Sequence, residues 1–189
     1  MKARITPDRR YKLRLLIKRD NLFHHLSEPV LKTGHLNQLK QFKQHGHCTC
    51  YDHSVAVAKT ALFLSMILPF RFKQKQLVRG ALLHDYFLYD WHNVKLEKLH
   101  GFHHPRIACE NAKRDFDLTP VEENIIKRHM FPLTPIPPRY KESVLVTVSD
   151  KICATKEVFS ALGRKIRNGR PVAYMANAFA FLIAFLPWN

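Results

Sequence analysis

From His53 to Leu68 the chain is almost continuously apolar: Val55, Val57, Ala58, Ala61, Leu62, Phe63, Leu64, Met66, Ile67 and Leu68 leave few polar interruptions, and Pro69 comes next. Sixteen residues are too many for an ordinary strand, so the length predicts a central helix buried on most of its circumference. Such a helix must be covered by others, and the flanking sequence supplies them. Asp8–Asp20 reads as a basic amphipathic helix with Tyr11, Leu15 and Leu16 on one side, and Pro29 is expected to interrupt the chain beyond it. Leu31–Gln44 reads as a further helix carrying Leu36, Leu39 and Phe42 on one face, with a turn at Gly46. Gln74–Asp85 places Leu77, Val78, Ala81 and Leu82 at helical spacing. His104-Pro105 is expected to open another helix, proline being favoured in a first turn. Thr119-Pro120-Val121-Glu122 is a helix start, with Thr119 as N-cap and Glu122 completing a capping box. Phe131–Pro138 carries four prolines and is expected to be a loop. Within Ser143–Lys156 the run Val144-Leu145-Val146-Thr147-Val148 prefers strand locally, but a lone strand has nothing to pair with, so helix is expected.

Composition agrees with an all-α, single globular domain. The chain has 189 residues, about one domain's worth, and an apolar fraction of 46% excludes disorder. Six glycines argue against an α/β protein with phosphate-cradling loops, and four cysteines are too few for a disulfide scaffold. Residues 1–47 are expected to form a helical extension packing on the core, 48–157 the central unit, and 158–189 a C-terminal helical segment of the same domain. The charged start Met1–Arg10 has no apolar run of a secretory signal, so a cytoplasmic protein with Cys48, Cys50, Cys109 and Cys153 as reduced thiols is expected. Val172–Trp188 is apolar, but its 17 residues fall short of the ~20 needed to span a bilayer, so packing on the protein is expected instead.

The formal charge of +16 suits anionic partners, whether phosphorylated substrate, nucleic acid or membrane surface. The bases run from Lys2 to Arg170 without a long block, which favours a diffuse solvated surface over a nucleic-acid patch.

Twelve histidines outnumber the glycines two to one, and several fall at telling places. Leu82-Leu83-His84-Asp85 ends an apolar helical run with two metal-competent side chains. A carboxylate out of water is costly unless paired or coordinated, so a buried His–Asp pair invites a divalent cation. His53 opens the most apolar helix. Val121, Ile125 and His129 share one helix face, which points His129 inward, and Asp150 comes after Val146 on another inward stripe. His104 precedes Pro105 at an expected helix start.

The order His53, His84-Asp85, His104, His129, Asp150 resembles the HD-domain metal-dependent phosphohydrolase superfamily. The carrying motifs are Tyr51-Asp52-His53-Ser54, Leu82-Leu83-His84-Asp85 and Val148-Ser149-Asp150-Lys151, over roughly residues 50 to 157. The two further histidines, in His103-His104-Pro105 and Lys127-Arg128-His129-Met130, resemble those of the two-metal subset. The chain is also similar to small bacterial-type HD proteins whose doublet continues as Phe87-Leu88-Tyr89-Asp90-Trp91. It departs from the better-known branches. Tyr86-Phe87-Leu88 stands where the cyclic-di-nucleotide branch has Ile-Gly-Lys, Tyr86 to Tyr89 hold no glutamate, and Thr49 occupies the position of an extra histidine. None of those branches' substrates therefore transfers.

The resemblance implies a helical HD domain hydrolysing a phosphoester of a nucleotide or other small phosphorylated substrate with a metal-activated hydroxide. His53, His84, Asp85 and Asp150 would hold one divalent ion; Asp85 would bridge to a second held by His104 and His129. Such a donor set suits Fe, Mn, Zn, Ni or Co. His84 and Asp85 would be the catalytic centre, and Lys151, Arg106 and Arg79 are candidate phosphate binders. The alternative is a basic nucleic-acid-binding or membrane-surface protein with a structural or decayed metal site, which the complete ligand set disfavours.

Overall fold

A computed structural model describes residues 7–45, 48–90 and 100–167. Its helices are α1 (Pro7–Leu31), α2 (Cys50–Ile67), α3 (Gln74–Leu83), α4 (His100–Asp115), α5 (Pro120–Arg128) and α6 (Lys141–Arg167), with a short 3₁₀ helix at Leu36–Gln41. The described strands are β1 (Lys43–His45) and β2 (Cys48–Thr49), an antiparallel pair with Lys43 opposite Thr49. Among the described residues the fold is all-helical apart from this small hairpin.

The apolar run from His53 to Leu68 forms the centre, as its length required. Val57, Ala58, Ala61 and Leu62 of α2 are fully buried against α3 and α6. The helix starts at Cys50, one turn before His53, because Thr49 caps it: Thr49 Oγ1 accepts from the Asp52 amide at 3.1 Å, and Asp52 turns back to the Thr49 amide at 3.4 Å. α5 packs between α3 and α6. Gly80 lets α3 approach it closely, since a Cβ there would come within 2.5 Å of Ile125 Cδ1. The Thr119–Glu122 capping box is present at the start of α5.

Three local readings need correction. Pro29 does not end α1, which continues to Leu31: proline removes only one amide near the helix end, and Val30 is anchored in the core at 1% exposure. Residues 31–44 are not one α-helix. Gly34 adopts a left-handed φ of +65°, and Leu36, Leu39 and Phe42, spaced by three, follow the period of the 3₁₀ helix, with Leu36 and Leu39 buried. Pro105 lies inside α4 rather than at its start; as the sixth residue it falls beyond the first four amides, which lack a helical partner, so the helix runs on with one backbone bond fewer. The cluster of prolines after Phe131 forms the expected irregular segment, and the valine-rich stretch Val144–Val148 lies within α6. Val172–Trp188 lies outside the described residues. Among the described residues, no helix is long and apolar enough to cross a membrane.

The segment after α1 is strapped to the helix carrying the His–Asp doublet. Tyr86 Oη accepts from the His35 amide at 2.6 Å and donates to Asp115 Oδ2 at 2.9 Å. At Gly34 a Cβ would meet Phe116 Cζ at 2.5 Å, on top of the left-handed backbone. Gly34→Ala is therefore expected to cost about 2–4 kcal/mol, a left-handed penalty plus an overpacking penalty, measured by urea denaturation.

Candidate metal centre

Five helices meet at one end of the bundle and bring six polar side chains into its interior. His53 comes from the first turn of α2, and His84-Asp85 come directly after the last residue of α3. His104 lies on α4, His129 caps α5, and Asp150 comes from α6. All six are buried, from 0% exposure at His53 and His84 to 8% at Asp150.

Three imidazoles are oriented by what their Nδ1 atoms touch. His84 Nδ1 lies 2.7 Å from the Ala81 carbonyl and His129 Nδ1 2.8 Å from the Ile126 carbonyl. A carbonyl only accepts, so each Nδ1 carries the proton and each Nε2 presents a lone pair. His53 Nδ1 faces the Glu157 carboxylate at 2.9 and 3.1 Å and so carries a proton too. The Nε2 atoms face carboxylates. His53 Nε2 is 3.0 Å from Asp150 Oδ1, and His84 Nε2 is 3.4 Å from Asp85 Oδ2 and 3.7 Å from Asp150 Oδ1. His129 Nε2 is 3.4 Å from Asp85 Oδ1, which also lies 3.1 Å from His104 Nε2; the two histidines' Nε2 atoms are 2.8 Å apart. Buried acceptors that face one another need positive charge between them, from a proton or a metal ion. Two atoms show this most plainly: His84 Nε2 and Asp85 Oδ1 are buried without a hydrogen-bond partner.

The electrostatics follow from the same contacts. Burial pushes both carboxyls up, but the imidazoles outweigh it and hold Asp85 and Asp150 below the usual carboxylate range. Burial pushes His129 down to about 4, Asp85 opposing, so its imidazole is neutral. For His53, burial pushes down but Asp150 and Glu157 outweigh it, and for His84 the aspartates do the same, so both are drawn toward the positively charged form. Ionised carboxylates and a neutral His129 are the states that metal ligation requires, and His53 and His84 would release a proton to an incoming ion. Ligand atoms of His53, His84 and Asp150 lie within 4.8 Å of one another, as do those of His84, Asp85 and His129. Imidazole and carboxylate together suit a first-row divalent ion.

The surroundings hold these groups rigidly. Asn111 Nδ2 donates to the Tyr86 and Phe87 carbonyls at 3.1 and 3.0 Å, fixing the backbone after the doublet, where Leu88 has a φ of 58°. Phe87 lies edge-on to His104, with ring centroids 5.7 Å apart.

The three basic residues expected beside substrate are placed differently. Lys151 Nζ donates to the His129 carbonyl at 3.1 Å, at the cluster's border. Arg79 Nε instead pairs with the buried Glu122 at 2.7 Å, seven residues upstream of His129 on α5, roughly 10 Å of helix away. Arg106 is exposed and pairs with Glu110 at 2.7 Å, two residues on from His104 and so on the other side of α4.

Two neighbours of the cluster were not singled out from sequence. Glu157 lies seven residues after Asp150, with Cys153 between, so a helical wheel of α6 puts all three on one face. Gln44, whose Nε2 donates to Asp85 Oδ2 at 2.9 Å, comes from β1 and carries no periodic signal.

A protein-family model described as the HD domain matches residues 50–155, more than half of the chain. No curated protein and no solved structure matched the chain.

Proposed function

The chain belongs to the HD domain family, and from that membership and the buried His–Asp cluster we propose that it is a metal-dependent phosphohydrolase acting on a nucleotide or another small phosphorylated molecule. The carrying observation is a pair of buried polar atoms without a hydrogen-bond partner at the centre of the cluster, His84 Nε2 and Asp85 Oδ1. His53, His84 and Asp150 would hold one divalent ion with Asp85 Oδ2; Asp85 Oδ1, His104 and His129 would hold a second. Bound ions of this kind activate water at neutral pH and neutralise charge on phosphoryl oxygens.

The protein's own part is orientation and exclusion of water. The carbonyls of Ala81 and Ile126 fix the tautomers of His84 and His129, so both present Nε2 without rearrangement. Asp85 lies between the two halves, with one oxygen toward each. Lys151, held at the His129 carbonyl, is the basic side chain best placed to meet a phosphate.

The test is metal analysis of the purified chain and then a screen of phosphomonoesters and phosphodiesters. One or two divalent transition-metal ions per chain are expected, with activity lost on chelation and regained on adding Mn²⁺. A protein that takes up no divalent ion would overturn the reading.

A further inference from the structure

Resting on the two-metal reading above, we propose that Gln44 is a positioning residue for the shared carboxylate: its amide, oriented by the Cys50 thiol, holds Asp85 so that each oxygen serves a different half of the cluster. Gln44 lies at the centre of β1, outside the stretch matched by the HD-domain model. Its side chain bridges two groups. Nε2 donates to Asp85 Oδ2 at 2.9 Å, and Oε1 accepts from the Cys50 Sγ–H at 3.1 Å. The amide can sit only one way round. A ligating carboxylate accepts and cannot donate, so the NH₂ must face Asp85, and the carbonyl then faces the thiol.

The consequence lies in the carboxylate's rotation. Asp85 Oδ1 has no hydrogen-bond partner, and Oδ2 has one, from Gln44. That bond pins the carboxylate plane. It keeps Oδ2 3.4 Å from His84 Nε2, and leaves Oδ1 3.1 Å from His104 Nε2 and 3.4 Å from His129 Nε2. Without it, the carboxylate can turn both oxygens toward one half and abandon the other. The strap that carries Gln44 is itself anchored at the Tyr86–His35 bond, next to the doublet. The hairpin thus lets a segment outside the matched domain decide whether one ion or two are held.

The test uses the full chain and Mn²⁺ alone, read by titration calorimetry and electron paramagnetic resonance. Wild type is expected to hold two ions and to show their magnetic coupling through the shared carboxylate. In Gln44→Leu the weaker site should lose ~10–100-fold in affinity, the range seen when an outer partner of a metal ligand is removed. The coupled signal should give way to that of an isolated ion, with the circular dichroism unchanged. Gln44→Glu, which sets a carboxylate against a carboxylate, should lose at least as much. Cys50→Ala frees the amide to turn and should give a smaller loss in the same direction; if Gln44→Leu unfolds, this variant decides. Gln44→Leu or, in that event, Cys50→Ala binding two coupled ions at wild-type affinity overturns the proposal and leaves the phosphohydrolase reading standing. A wild type holding a single uncoupled ion also overturns it, and a wild type binding none overturns both.

Discussion

Asp85→Ala is expected to leave a soluble, helical, metal-poor and inactive protein. Asp85 is the carboxylate that both halves of the cluster share, with Oδ2 toward His84 and Oδ1 toward His104 and His129. Its removal takes an anion from beside two proposed cations, so both affinities should fall. His129 borders one half, and its loss should disturb mainly that half. Metal ions contribute several kcal/mol of transition-state stabilisation, and at about 1.4 kcal/mol per decade their loss amounts to a thousandfold or more in turnover. The helical packing does not depend on Asp85. Leu77, Ala81 and Leu82 of α3 are fully buried in apolar contact with the core, and α2 is capped at Thr49. Metal content, circular dichroism and turnover on a phosphoester cleaved by wild type check this together. Retention of both metal and activity would mean that the doublet is not the catalytic centre, and the basic-surface reading would then be the better one.

How much of this was legible in the chain depends on which force decided each part. Burial decided the centre, and apolar density reports burial directly, so α2 stands out without any help from local propensity. The strand-like run Val144–Val148 shows the converse: within α6, Val146 is fully buried and Leu145 nearly so, and packing overrides β-propensity. The inward turn of His129 could be read from Val121 and Ile125 on the same stripe, all three being buried. Capping was legible at Thr119, where proline comes next, and less so at Thr49, where the partner Asp52 is shorter than the usual Glu or Gln. Prolines mislead twice: Pro29, near the end of α1, costs little beside the buried Val30, and Pro105 is tolerated within α4 at the loss of one backbone bond. The segment from Leu31 to Gln44 was misread because a spacing of three fits a face of either helix type, and only the left-handed Gly34 separates them. Gln44 left no trace at all. Its role arises from tertiary proximity across 41 positions to Asp85, and a three-residue strand has too little period to announce a face.

Glu157 was legible in principle, and its removal is expected to be costly in two separable ways. It lies on the Asp150 face of α6, and its carboxylate takes the His53 Nδ1–H at 2.9 and 3.1 Å while Asp150 lies 3.0 Å from Nε2 on the other side. The His53 side chain is 1% exposed, so no water can replace a lost acceptor there. In Glu157→Leu a buried donor is left unsatisfied, which costs about 1–3 kcal/mol of stability. The imidazole also loses the carboxylate that fixes its tautomer and raises its basicity as a ligand, a change that commonly lowers metal affinity ~10–100-fold. Glu157→Gln separates the two effects, because its carbonyl oxygen still accepts from Nδ1 but carries no charge. The glutamine variant should recover most of the stability in urea denaturation and only part of the affinity in a Mn²⁺ titration. Affinity that stays at the wild-type level in both variants, with stability lost in Glu157→Leu, would reduce Glu157 to a structural partner of His53. Affinity that falls in Glu157→Leu and returns fully in Glu157→Gln would show that orientation of the ring, rather than the carboxylate's charge, is what this residue supplies.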